Sequence, residues 1–191
     1  MNILMAGVGG QGLILVAKVL GDACIATNNH CVTAEVHGMA QRGGMITCLV
    51  RIGDHQGPLM PTGAADVLLG FEPLEALRSQ SMLSERTTVV LNTNRIMPFT
   101  VTMGQDKFPS LETIVAEFKN ITERVHTLDG SALAEKAGTP QALNIVLLGA
   151  LAKTGLLPFS KEVLVKAITK NVPPKTKDLN LKAFELGYGA V

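Results

Sequence analysis

Tryptophan is absent from this chain of 191 residues, tyrosine occurs once and phenylalanine six times, so aromatics make up only 4% of it. With apolar residues at 47%, the core has to be assembled from Val, Leu, Ile, Ala and Met. That palette suits a buried parallel sheet covered by helices. Excess charge is lacking too: 17 Lys and Arg stand against 16 Asp and Glu, and no basic run or interleaved aromatic stripe offers a hold for nucleic acid. The cysteines are three, Cys24, Cys31 and Cys48, with no C-x-x-C among them. They fit buried thiols in a reducing compartment far better than a disulfide framework or a cluster site. No apolar run reaches the roughly 18 to 20 residues of a membrane span, and the opening "MNILMAG" lacks the basic and long apolar regions of a secretory signal. The expectation is a cytoplasmic protein without a membrane or nucleic-acid partner, folded as one domain over residues 1–191.

What is present is a regular alternation of short apolar runs and helical spacings. Residues 2–6 read as a strand, followed at once by the glycine turn "AGVGGQG" (6–12) and by a helix whose apolar positions are Leu13, Val16, Ala17, Leu20 and Cys24. "CVTAEV" (31–36) reads as a second strand, which makes the first 36 residues a right-handed βαβ unit. "MITCLVRI" (45–52) alternates enough to suggest a strand with one partly exposed face. "ADVLLGF" (65–71) and "TTVVLNT" (87–93) read as central parallel strands, with a helix between them that carries Pro73 in its first turn. Ser110 is placed to cap a helix with Leu111, Ile114, Val115 and Phe118 inside, and "RVHTLDG" (124–130) gives a last short strand. Further helices are expected from Thr139-Pro140 to Gly155, from Ser160 to Lys170, and after the break "NVPPKTKD". The fold class that follows is α/β, three-layer and Rossmann-like, with a mostly parallel sheet and helices on both faces.

Gly7, Gly9 and Gly12 satisfy G-x-G-x-x-G between a strand and a helix, the context of a dinucleotide-binding turn. Bare backbone lets a pyrophosphate approach, and the N–H groups of a helix start attract it. Glu35, at the end of the second strand, lies about where a ribose-binding acid is expected. Against this, Gly10 is superfluous to the fingerprint and Gln11 puts a long amide into the turn, where it is expected to hydrogen-bond outward. The alternative is that the glycines only permit close packing of helix on strand.

A second constellation follows in "EVHGMAQRGG" (35–44). Gly38, Gly43 and Gly44 free the backbone, while Glu35, His37, Gln41 and Arg42 supply an acid, an imidazole, an amide and a guanidinium. Loops at the carboxyl ends of neighbouring strands lie side by side, so this segment is expected beside residues 7–12. Arg42 is the candidate for binding an anion, or else for pairing with Glu35. His37 has no Ser, Cys or Asp beside it in a nucleophile pattern, and His30 with Cys31 would point to opposite faces of a strand, which argues against a metal pair. Asn144, among apolar neighbours, is either a contact across a dimer seam or a satisfied core amide.

The segments "GVGGQG", "EVHGMAQRGGMITCLVRI", "ADVLLGFEPLEALR", "NIVLLGAL" and "NLKAFELGY" together resemble the gamma domain of 2-oxoacid:ferredoxin oxidoreductases. "EVHGMAQRGG" is similar to the aryl-pyruvate branch, the small (beta) subunits of indolepyruvate ferredoxin oxidoreductases. The resemblance implies a subunit supporting oxidative decarboxylation of a 2-oxoacid to its acyl-CoA, with electrons passed to ferredoxin. It places thiamine diphosphate, Mg and 4Fe-4S clusters on a larger partner subunit, with ferredoxin met only indirectly. The thiamine motif of that family, GDG followed by NN, is not matched by Gly21-Asp22-Ala23 and Asn28-Asn29. No tightly held cofactor, catalytic residue or metal ligand is therefore expected here. Gly7, Gly9, Gly10, Gln11, Gly12, Glu35, Gly38, Arg42, Gly43 and Gly44 form the expected contact set for the partner and the coenzyme A phosphates, and the isolated chain is expected to be able to pair with itself. The alternatives are a gamma subunit acting with pyruvate or 2-oxoisovalerate, a free-standing dinucleotide-binding enzyme, and an activating-enzyme-like nucleotide module.

Overall fold

The computed structural model describes residues 1–38, 44–104 and 108–191. Six strands form one sheet: β1 (Asn2–Val8), β2 (Cys31–His37), β3 (Met45–Ile52), β4 (Val67–Gly70), β5 (Thr88–Asn92) and β6 (Val125–Leu128). Their order across the sheet is β2-β3-β1-β4-β5-β6. β1, β4, β5 and β6 run parallel, whereas β3 is antiparallel to both β1 and β2. The first 36 residues are thus not a βαβ unit of adjacent strands, because β3 is inserted between β1 and β2. The short connection between β2 and β3 makes them an antiparallel hairpin, and the pairing of β3 with β1 places that hairpin's second strand in the middle.

The central strands β4 and β5 are buried throughout, as their continuous apolar runs require when both faces are covered. β3 is more enclosed than its alternation suggested, with Cys48, Leu49 and Val50 all buried. Ile3, Met5, Val67, Leu69 and Val90 point to one face, where α1 (Leu13–Ala26), α5 (Gly130–Ala137), α6 (Leu143–Lys153), α7 (Lys161–Asn171) and α8 (Lys177–Tyr188) cover them. Leu4, Ala6, Leu68, Val89 and Leu91 point to the other, under α2 (Pro73–Arg78) and α4 (Leu111–Ile121). A short α3 spans Phe99–Thr102. α6 is the buried axis of the first layer, with every residue from Leu143 to Leu151 enclosed. Its start differs from expectation, since Thr139-Pro140 opens a 3-10 turn and the α-helix begins at Leu143.

Side-chain caps place several helix starts. The Thr113 N–H donates to Ser110 Oγ at 3.2 Å and the Val163 N–H to Ser160 Oγ at 3.4 Å, as the sequence indicated. Asp129 Oδ1 accepts from Ala132 N at 2.9 Å and opens α5, a helix the sequence reading did not mark. Each cap satisfies a donor that a helix start otherwise leaves unpaired. No helix among the described residues is long and apolar enough to cross a membrane.

Candidate functional site

The chain leaves β1 toward β2 and β3 on one side, then crosses back to place β4 on the other. The carboxyl end of β1 is therefore the point where sheet order reverses, the place at which open α/β sheets form a crevice. The glycine turn occupies it.

Gln11 organises this turn from within. Its Oε1 accepts from Val8 N at 2.8 Å, and its Nε2 donates to Phe71 O at 3.1 Å. The amide expected to reach outward is spent inside, tying the end of β1 to the end of β4. Asn92 continues the stitching: its Nδ2 donates to the same Phe71 O at 2.9 Å, and its Oδ1 accepts from Gly130 N at 3.0 Å. Asn144 completes it, with Nδ2 donating to Gly12 O at 3.3 Å and Oδ1 accepting from Ile145 N at 2.8 Å. It is a satisfied buried amide within one chain, the second of its two readings. Sequence reasoning missed Asn92, because a polar residue ending an apolar strand carries no local mark of what it will meet.

Two of the fingerprint glycines answer to these amides. A Cβ on Gly7 would lie 2.7 Å from both Gln11 Oε1 and Phe71 Cβ, and Gly12, at φ 78°, has no room beside Asn144 Nδ2. Gly9 gives its N–H to Gly44 O at 2.9 Å. Gly10 is exposed, and a Cβ there would meet nothing. The turn thus presents two exposed glycines, Gly9 and Gly10, to its surroundings.

Of the expected meeting of residues 7–12 with 35–44, the described residues show the contact at Gly44, reached by a different route. β3 returns alongside β1 with Val8 opposite Met45, so the hairpin is carried to the glycine turn by antiparallel pairing. Gly38 N donates to Met45 O at 2.8 Å and closes the strand ends. Gln41, Arg42 and Gly43 lie outside the described residues. Glu35 and His37 are exposed and 3.3 Å apart. With β3 interposed, Glu35 stands two strand spacings from β1, about 10 Å. That is one strand too far for the ribose-binding acid of a dinucleotide turn, which sits on the strand next to β1. His37 has no partner beyond Glu35 among the described residues, and no group of three metal-ligating side chains occurs among them.

Beside Gly10 a cleft of about 280 Å³ opens, lined by Gln11, Asn94, Ile96, Ser131 and Gln141 among others. Its lining is neutral and rich in amides and hydroxyl. Positive potential comes from the adjoining helix start: Gly12 is the N-cap of α1 and provides no side-chain cap, and no acid lies in the first turn. Such an end favours an anion.

Glu72, quoted in the sequence but given no role, holds the far wall. It is 1% exposed. One oxygen caps α2 by accepting from Glu75 N at 2.9 Å, and the other accepts from Ile96 N at 3.3 Å. Burial pushes its carboxyl pKa up, while those N–H groups pull the other way. Val36 near the carboxyl end of β2, Ile14 in the first turn of α1, and Ile96, Met97 and Met103 beyond β5 are exposed large apolar residues. Apolar side chains gathered on one rim mark a surface that a partner covers.

The sequence matches the family model described as pyruvate ferredoxin/flavodoxin oxidoreductase over residues 2–190. The chain belongs to this family. Within it, the chain is 44% identical to the indolepyruvate oxidoreductase subunit IorB of Archaeoglobus fulgidus, across 98% of this chain and 94% of the relative. Among solved structures it is similar to the gamma subunit of a keto/oxoacid ferredoxin oxidoreductase from Geobacter sulfurreducens, at 26% identity and TM-score 0.71, covering 99% of this chain and 96% of that one. It shares its fold with part of a 2-oxoglutarate:ferredoxin oxidoreductase from Magnetococcus marinus, solved with 2-oxoglutarate, coenzyme A and succinyl-CoA bound. There the identity is 22% and the TM-score 0.73, and the match covers all of this chain but 30% of the longer one. This family's fold therefore occurs both as a separate subunit and as a segment of a larger chain.

Proposed function

We propose that this chain is the small subunit of an indolepyruvate-type 2-oxoacid:ferredoxin oxidoreductase, supporting decarboxylation of an aryl-pyruvate to its acyl-CoA in a cytoplasmic complex. The thiamine diphosphate, magnesium and iron–sulfur clusters belong to the large subunit. Cysteine arithmetic supports that division, since a cluster takes four thiolates and this chain has three cysteines. The observation that carries the reading is the carboxyl rim of the sheet. It combines an uncapped helix start, a neutral cleft and exposed apolar side chains.

On this reading the chain binds and orients rather than reacts. The α1 start and Arg42 meet the phosphates of coenzyme A, and the amides and hydroxyl of the neutral cleft suit its amide-bearing arm. Gly9, Gly10, Gly38, Gly43 and Gly44 keep the backbone low enough for that approach. Gln11, Gly7 and Gly12 set the turn's shape from behind, and Glu35 belongs to the rim that faces the large subunit. Ile96 and Met97 are held at that rim by the Glu72 anchor and cover apolar surface of the partner.

The test is reconstitution. The purified chain is mixed with the large subunit, and aryl-pyruvate- and coenzyme A-dependent reduction of ferredoxin or a viologen dye is measured, with each subunit alone as control. Activity from the pair only is expected. Absence of a complex, or full activity from the large subunit alone, overturns the reading.

A further inference from the structure

Two of the three cysteines, far apart in the roles their elements play, meet in space. Cys24 lies near the end of α1 and is wholly buried; Cys31, the first residue of β2, is partly exposed. The turn between them is tightly built. Thr27 N and Asn29 N both donate to Cys24 O, at 3.1 and 2.9 Å, and Asn28 adopts a left-handed φ of 55°. These bonds fold the chain back so that β2 starts directly beneath the helix it has just left. Cys31 pairs in register with Ile52, on the face of the sheet that α1 covers, and packs against the core cluster that contains Cys24. The two thiols thus face one another across this turn and act on each other's proton.

The environments divide the work. The neighbouring Cys24 thiol, with a smaller contribution from His30, brings the Cys31 thiol down to about 7, while the same neighbour and burial push Cys24 up. Cys31 shares its face with Thr33 and Glu35, which line an open groove of about 390 Å³ with Ile14, Lys18 and Asp22 of α1. Cys31 is not in the groove lining but is itself partly exposed at the start of the same strand face. Cys48, on the same face but buried under β2 and pushed up to about 11 chiefly by desolvation, is an internal control.

We propose that Cys24 and Cys31 are a redox-active thiol pair that a hydroperoxide converts to an intrachain disulfide, with Cys31 as the attacking sulfur and Cys24 as the resolving one. The Cys31 thiolate attacks one peroxide oxygen, the O–O bond breaks, and hydroxide (or the corresponding alkoxide) leaves, which gives the Cys31 sulfenic acid. The Cys24 sulfur then attacks Cys31, its proton leaving with the displaced hydroxide as water. The two sulfurs together give up two electrons, and the peroxide takes them. Neither the family membership nor the coenzyme A reading depends on this pair.

The experiment treats the full chain with a small excess of hydrogen peroxide at pH 7, quenches with an alkylating agent, and maps unreduced peptides by mass spectrometry. The expected product is one peptide pair joining Cys24 to Cys31, lighter by two hydrogens and reversed by a dithiol, with Cys48 still alkylated. Without peroxide, Cys31 should react with iodoacetamide at pH 7 roughly five- to ten-fold faster than an ordinary thiol, its larger thiolate fraction being partly offset by the lower nucleophilicity of a more acidic thiolate. In Cys24→Ala the alkylation midpoint should move up toward the ordinary thiol range, and peroxide should carry Cys31 on to sulfinic acid. The proposal is overturned if wild-type Cys31 goes to sulfinic acid with no cross-link. It is equally overturned if Cys31 titrates as an ordinary thiol or if Cys48 is consumed at the same rate.

Discussion

Replacing Gln11 with Ala separates an inward clamp from an outward ligand. In the wild type its amide closes two bonds, from Val8 N at 2.8 Å and to Phe71 O at 3.1 Å. Phe71 O keeps a second donor in Asn92 at 2.9 Å, so its loss is small. Val8 N has no such reserve: Val8 is 6% exposed, and its N–H would be left without an acceptor in a largely dry place. An orphaned buried donor costs about 1–3 kcal/mol. The missing side chain also leaves a gap against Gly7, whose backbone lies against Gln11 Oε1. At roughly 2–4 °C per kcal/mol for a chain of this size, an orphaned donor worth about 1–3 kcal/mol lowers Tm by about 2–12 °C. Amide exchange should speed up selectively at Val8, because that is the donor released. A solvent-facing glutamine would instead give a change within about 0.5 kcal/mol. A Tm within 1 °C of wild type, or unaltered exchange at Val8, would refute the clamp.

Glu75 gives a pH-dependent test. Burial holds its carboxyl above the ordinary 4.5, with Arg78 at 2.6 Å pulling the other way, and its second oxygen is buried without a partner. The folded state therefore binds its proton more tightly than the unfolded one, so this group's contribution is fully present below about pH 4.5 and is lost as pH rises through the folded value. Glu75→Gln should flatten that loss in a series of melts from pH 4 to 7.5; an unchanged slope shows that Glu75 is not its source. Arg42→Ala should raise the apparent coenzyme A requirement of the reconstituted enzyme several-fold with the complex intact on a sizing column, and unchanged kinetics would remove Arg42 from the anion site.

Local signals were enough for much of the architecture. The strand, glycine turn and helix at the start, the capping serines Ser110 and Ser160, and the buried strands β4 and β5 were all readable, because each depends on residues within a turn or two of one another. α5 was not, since its eight residues, "GSALAEKA", place few large apolar side chains on a face. Nor was the insertion of β3: periodicity announces a strand but not its neighbour, and a hairpin connection is compatible with several sheet orders. That insertion decided the functional reading, because it moved Glu35 away from β1 and removed the dinucleotide acid from its place.

The sequence by itself determined the class of fold, through the alternation of apolar runs with helical spacings, and the family, through motifs spread over the chain. The tertiary structure alone decided what the motif residues do. Gly7 and Gly12 are bare because Gln11, Phe71 and Asn144 lie against them, and the glutamine that local reading turned outward faces in because Val8 N and the Phe71 carbonyl both lie within its reach. Such assignments depend on contacts between residues up to 132 positions apart, as Asn144 and Gly12 are. No window along the chain contains both partners, so hydrogen-bond satisfaction at the buried strand ends becomes visible only when the sheet has closed.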